Sequence, residues 1–436
     1  MASRTVGRRR ADRRPNRRRT IDIPQGHGHG HGHGHGHGHG DHVVDTSVVD
    51  ADAIVARRVR IVVAAVLAPL LAAAVIAMIV MWPGGGVKVA SYQTDSARGE
   101  VTALKPCAQQ KDQCDEATVK LTSGPDQGKS VSVQVPKAGQ APLTIEVGQS
   151  LMLGIQKGAP LEQRYQYVDH DRTMPLLVLA VIFAVAVVAL SRWRGFAALI
   201  ALAVTAVTLT QFILPAILKG SNPLLVAVVG GAVIMAIALF LTHGINAESS
   251  IALSGTIAAL GLTVLLGWFF TKFCQLSGLA SEGASGVQAL VPGVDLKGLL
   301  VAGIVIGALG VLDDVTVTQA AAVWELSAAN PTATRRELVG AGLRIGRAHV
   351  ASVVNTLVLA YAGAALPILM TFAIQGVPGR YVISTEMVAM EIVRGLVGSL
   401  GIIAAVPLTT ALAAMAVADR SRDLISTEPE HLHEPV

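Results

Sequence analysis

The sequence predicts a membrane all-α helical bundle of about eight transmembrane helices, with a small extracytoplasmic β-domain inserted after the first. Three observations carry that reading. Of 436 residues, 52% are hydrophobic and only 15% are charged, against roughly 25% charged in soluble domains. Apolar runs of about 18 residues or more recur along the chain, long enough to cross a bilayer. One stretch, residues 83–173, replaces those runs with short segments that alternate polar and apolar residues between turn residues, the mark of strands. The net charge of +5 is no nucleic-acid footprint, because the arginines sit in tails and short loops. The expected surroundings are the lipid bilayer, with a small ion or solute as substrate and no nucleic acid.

Residues 1–60 read as a disordered, basic and His-Gly-rich cytoplasmic tail. Nine arginines among the first twenty residues, with almost nothing apolar, cannot form a core. They suit a cytoplasmic retention signal and contact with anionic lipid. A Gly-His alternation follows, with His27, His29, His31, His33, His35, His37 and His39, then His42. Several imidazoles on a flexible chain make a loose chelator of Ni²⁺, Zn²⁺ or Cu²⁺; unconstrained low-complexity drift is the alternative. No other cofactor is expected. Ile61 to Trp82 is continuously apolar after Arg57, Arg58 and Arg60. It is too long for the core of a cleaved signal and reads as a transmembrane anchor, residues 61–82, with its N-terminus inside.

The β-domain, residues 83–173, contains GEVTAL, ATVKLTS, SVSVQV, LTIEVG, LMLGIQ and QRYQYV, and an OB-like barrel is one candidate. Cys107 and Cys114 bracket a polar loop and are disulfide candidates in an oxidising space; a reduced, idle pair is the alternative. Asp169, His170 and Asp171 form either a ligand trio or a solvated run before the membrane. From Met174 the chain is nearly all apolar, and residues 174–417 read as a seven-helix transmembrane domain. The spans fall at about 174–191, 195–218, 223–242, 250–272, 298–322, 349–374 and 390–417, before a cytoplasmic tail at 418–436. Arg192, Arg194, Arg335, Arg336, Arg344, Arg347, Arg420 and Arg422 fall on the side of the N-terminus. The opposite loops hold Lys219, Lys272, Lys297 and Arg380. That bias places both termini in the cytoplasm of a multi-pass cell-membrane protein. Residues 275–297 read as an external lid, a re-entrant loop or a plain connector. Thr334 to Glu337 is a capping-box pattern opening an Arg-rich amphipathic helix, expected along the cytoplasmic membrane surface.

The central stretch is Gly298 to Leu326, GLLVAGIVIGALGVLDDVTVTQAAAVWEL. Gly303 and Gly307 have the G-x-x-x-G spacing of a close helix contact. Asp313 and Asp314 then stand where hydrocarbon should be. A charge at that depth costs from about 2.5 kcal/mol upward, so the pair must face protein, water or a cation. Thr316, Thr318 and Gln319 follow, and alcohol and carboxylate oxygens at that depth suit a hard cation or a proton relay. The competing reading is structural: the pair caps a half-helix beginning near Thr316. Asn355 and the Glu391–Arg394 pair are expected as supporting groups. Asn355 also reads as interhelical glue, and Glu391 with Arg394 as a self-satisfied i, i+3 ion pair.

The run GALGVLDDVTVTQAAAVWEL, the run EIVRGLVGSLGIIAAVPLTTALAA (391–414) and YQYVDHDR before the second span resemble the YibE/F family of bacterial membrane proteins. The likeness covers about residues 60–420, and the Ala/Val-heavy style suggests an actinobacterial type. The resemblance implies a polytopic plasma-membrane protein and brings no established activity with it. The functional expectation is a transporter or permease-like protein with an intramembrane carboxylate site, and no enzyme. The alternative is a non-transporting envelope scaffold that acts through its β-domain. No Gly-rich P-loop lysine motif is present. An aspartyl hydrolase is disfavoured, because adjacent carboxylates on one helix do not converge from separate elements.

Overall fold

The computed structural model describes residues 46–84, 95–107, 114–137, 144–281 and 283–426. The His-Gly run with His27 to His39, the N-terminal arginine cluster and the end of the C-terminal tail lie outside the described residues. Among the described residues, six helices are long and apolar enough to cross a membrane, beside a small antiparallel sheet on the N-terminal side.

Helix α1, Thr46–Val80, starts well before the apolar run. Residues 46–60, expected as disordered tail, are helical, because nothing between Thr46 and Ile61 is Gly or Pro to interrupt them. The apolar part of α1 also packs: Leu67 is buried in the bundle core, and Trp82 stacks on Phe212 with ring centroids 5.7 Å apart.

The sheet has five strands, β1 Asp95–Pro106, β2 Cys114–Leu121, β3 Ser130–Pro136, β4 Ser150–Ile155 and β5 Tyr165–His170, with a one-turn helix α2, Leu161–Arg164, before the last. Their order is β3-β2-β1-β4-β5, and the outer strands β3 and β5 touch, so the sheet is strongly curled. Alternation places Val131, Val133 and Val135 of β3 inside with Val119 and Leu121 of β2. The sixth expected strand, LTIEVG, does not form. Gly148 adopts φ +91°, and the segment instead turns so that Gly148 N–H donates to Val101 O at 2.8 Å. Ile145 still reaches the core. Cys107 and Cys114 are joined by a disulfide with Cα atoms 5.6 Å apart.

Helix α3, Thr173–Thr208, holds two of the expected spans in one element. Arg192 breaks it with φ 53° and ψ −124°. A Cβ on Gly195 would stand 2.5 Å from the carbonyl oxygen of Val187. A straight helix would separate those positions by about 12 Å, so the chain doubles back here. A π turn at Leu209–Ile213 leads into α4, Leu214–Leu218. Then follow α5 Pro223–His243, α6 Ala247–Phe273, the short α7 Ala284–Leu290 and α8 Leu296–Ala329. The last are α9 Arg335–Ala364, α10 Leu366–Ile374, α11 Gly379–Ser384 and α12 Glu386–Ser426.

The core lies where α5, α6, α8, α9 and α12 meet, with Leu253, Val305, Leu312 and Ile402 fully buried. Two expectations change here. The Arg-rich helix is the first part of α9 rather than a separate surface helix. Its capping box forms at Thr334 and Glu337, and Gly342 and Gly346 press its first half against α8 and α12. The 275–297 connection is pinned down: Glu386 Oε1, at the start of α12, accepts from Ser277 N at 2.6 Å, Ser277 Oγ at 2.7 Å and Gly278 N at 2.9 Å.

Candidate functional site

Helix α8 packs against α5, α6, α9 and α12, which makes it the axis of the bundle. Asp295 caps it, accepting from Gly298 N at 2.9 Å. From there to Asp313 is about 26 Å at 1.5 Å per residue, near the middle of the helix. The helix runs unbroken through the acidic pair to Ala329, so the pair does not cap a half-helix beginning at Thr316.

The polar residues of α8 divide by face. Thr316 is fully buried; its Oγ1 lies 2.6 Å from Thr256 Oγ1 on α6 and donates to Asp313 O at 3.1 Å. Gln319 is buried too, and its Nε2 donates to Gly342 O of α9 at 2.8 Å and to Thr410 Oγ1 of α12 at 2.7 Å. These two side chains join helices, and they do not line a site with the carboxylates. Asp314 and Thr318 occupy the opposite, exposed face. Thr318 Oγ1 donates back to Asp314 O at 2.7 Å.

The same exposed face carries Gly303, Gly307 and Gly310 above Asp314. A Cβ on Gly303 or Gly310 would meet nothing within 4 Å, and one on Gly307 would stand 2.8 Å from the Tyr361 hydroxyl. The G-x-x-x-G pair therefore makes no close helix crossing. That role belongs to Gly255 against Thr409, Gly401 against Thr263 and Gly346 against Val406. The result is a side-chain-poor strip along α8, covered at Gly307 by Tyr361 and open at Gly303 and Gly310, that leads to Asp314.

Asp313 sits at the border of the two faces. It is half-buried, and its Oδ1 is enclosed with no hydrogen-bond partner. An ionised carboxylate without a donor is among the least favourable groups to bury. Sequence reasoning expected five oxygen-bearing residues in one cluster; the fold brings Asp314 and Thr318 together, places Asp313 beside them, and diverts Thr316 and Gln319 elsewhere.

The supporting groups also separate. Arg394 Nη1 donates to Glu391 Oε1 at 2.9 Å, and its guanidinium carbon lies 6.0 Å from the Tyr361 ring centroid. Asn355 is exposed on α9. In the β-domain, His170 hydrogen-bonds Tyr167 Oη and Gln149 Oε1, each at 3.2 Å. Among the described residues no group of three or more His, Cys, Asp or Glu side chains is arranged to hold a metal. Sequence reasoning missed the partners Thr256 and Thr410, while Tyr361 stood out in the sequence as a polar group of a membrane span in need of a partner. Thr256 and Thr263, two turns apart on α6, were the available signal of a polar stripe facing the core.

These features define a multi-pass helical membrane protein whose central helix carries a half-enclosed carboxylate pair. A family model described as YibE/F-like protein matches residues 179–419, and the chain belongs to that family. No curated protein and no solved structure matches it.

Proposed function

We propose that the protein is a transporter or permease of the cell membrane that moves a proton or small cation through a site at Asp313 and Asp314. The observation that carries this reading is the enclosed, donor-free Oδ1 of Asp313 at mid-helix, beside an exposed Asp314 at the end of a glycine strip. A charge there needs a compensating cation or a proton. The strip gives a small, hydrated ion room to approach, and Thr318 marks its inner end. Thr316 and Gln319 act as helix connectors that hold α8 in register. On this reading the protein is not an enzyme. Eight spans fit the chain if the doubled-back α3 element counts twice and α1 serves as the anchor. Both termini are then cytoplasmic, and the curled β-domain, on this reading an OB-like barrel, is external.

The test is flux in proteoliposomes, following protons with an internal pH dye and divalent metals with an internal chelating dye. Wild type moves one of these ions, and the Asp313→Asn/Asp314→Asn double variant, folded to the same thermal midpoint, moves none. Equal flux in the two proteins would sink the proposal. Absence of flux in both shifts the function to the external β-domain and its envelope partners.

A further inference from the structure

A second site lies at one end of the bundle, away from the acidic pair. Helices α5 and α8 begin side by side there: a Cβ on Gly298 would stand 3.4 Å from Pro223 Cδ. The C-terminal end of α6 completes a cleft of about 600 Å³. Asn222, Trp268, Thr271, Lys272, Asp295 and Lys297 line it. Sequence reading used the two lysines only as topology markers.

Three features give the cleft its chemistry. Two ammonium groups face one carboxylate, and Asp295 already spends an oxygen capping Gly298 N. Among the described residues, Lys272 rests over the Trp268 ring at 5.5 Å and neither lysine has a carboxylate within ion-pair distance. Glu386, in longer electrostatic range of Lys297, has its Oε1 taken up by three donors from the 277–278 turn. Next, two long helices begin beside the same space; Asn222 caps Leu225 N and Asp295 caps Gly298 N, and the dipoles of both helices still add partial positive charge there. Last, Thr271 is 3% exposed, and its hydroxyl has no hydrogen-bond partner. The other buried threonines of α6 return their hydroxyls to the carbonyl four residues back, Thr256 to Ala252 O and Thr263 to Ala259 O. Thr271 does not, so a donor is held in reserve at the cleft wall.

We infer that this cleft binds a phosphate-type oxyanion, held between Lys272 and Lys297 with Thr271 as a donor and the two helix N-termini adding positive charge. A free phosphate and the headgroup of an anionic lipid share that chemistry. The half-exposed Trp268 beside Lys272 is the side-chain pair that settles at a bilayer interface.

The test uses the full chain in nanodiscs, with Trp82, Trp193 and Trp324 changed to Phe so that Trp268 alone reports. In phosphatidylcholine discs at constant ionic strength, inorganic phosphate changes Trp268 emission saturably, and chloride does not. Lys272→Gln and Lys297→Gln each weaken that response at least tenfold, and Thr271→Val weakens it severalfold. If the occupant is a lipid, discs containing phosphatidylglycerol shift Trp268 emission without phosphate, and the shift vanishes in the Lys272→Gln/Lys297→Gln variant. The inference is overturned if neither phosphate nor phosphatidylglycerol alters the emission. It is equally overturned if the doubly substituted protein, with an unchanged thermal midpoint, responds as wild type does. Because the readout is binding rather than flux, failure here leaves the transport proposal standing, and the reverse also holds.

Discussion

Asp126 and Asp313 are both aspartates drawn under the cover of the fold, and they are treated in opposite ways. Asp126, 8% exposed, accepts from Lys129 Nζ at 2.8 Å, Arg164 Nη1 at 2.8 Å and Tyr165 Oη at 2.9 Å. Those donors, Lys129 first, hold its carboxyl down from 3.8 to about 2. It ties the β3 approach to the helix before β5, and every contact is local to the sheet. The Oδ1 of Asp313 is enclosed and has no donor. A carboxylate that serves the fold is saturated by its neighbours. The bundle leaves several enclosed polar atoms unpaired, Thr271 Oγ1, Arg394 Nε and Thr409 Oγ1 as well as Asp313 Oδ1. Among these Asp313 alone is a carboxylate, the group that the transport proposal pairs with a mobile ion. The same contrast divides α8 itself. Gln319 has both amide hydrogens engaged across three helices, while Asp314 stands five residues earlier on a bare strip.

The comparison can be broken most directly at Asp313. Asp313→Asn should lower ion flux in proteoliposomes at least tenfold while leaving the thermal midpoint unchanged or raised, since it removes an uncompensated charge. Asp126→Asn should do the reverse, loosening hydrogen-exchange protection of β3 and β5 while flux persists. A fold that collapsed on Asp313→Asn would show that the residue is structural after all. The Gln319→Leu variant sharpens the division on α8. Loss of its two bonds leaves Gly342 O and Thr410 Oγ1 without that donor and should destabilise the bundle by about 1–3 kcal/mol, read from thermal unfolding in detergent, with the flux per folded molecule retained.

Replacing Cys107 with Ser tests whether the sheet stands on local staples. Opening so short a loop should cost the β-domain about 2 kcal/mol, seen as faster exchange in β1 and β2 and nowhere in α8. The smallest effect concerns acid. The carboxyl of Asp126 is depressed in the fold, so its stabilisation is present in full above pH 4 and fades as pH falls through about 2. Exchange protection of β3 and β5, corrected for intrinsic rates, should therefore drop between pH 4 and pH 2 in wild type. It should drop less in Asp126→Asn.

Much of this was legible in the chain because the bilayer allows few solutions. Apolar runs of spanning length, the polar interruption at 83–173, the capping box at Thr334 and Glu337 and the acidic pair itself are local patterns with local causes. The helix reversal at Arg192 was foreseen as a loop between two spans. The continuity of α9 was not, because an Arg-rich amphipathic pattern looks alike on a membrane surface and on a bundle flank. What separates the two is a cross-helix contact, Gly346 against Val406 and Gln319, and no local pattern encodes it.

The sequence by itself determined that this is a multi-pass membrane protein with a curled β-domain and two carboxylates at the middle of its central helix. Hydrophobic length and strand alternation are properties of contiguous residues, and they survive without knowledge of neighbours. Only the tertiary structure decided which oxygens share a face with those carboxylates. A helix turns 100° per residue, so Thr316 and Gln319, close to Asp313 and Asp314 in the chain, were carried to other sides and claimed by Thr256, Thr410 and Gly342. The assignment of each face depends on which helix packs there, and that is settled by residues sixty and ninety positions away.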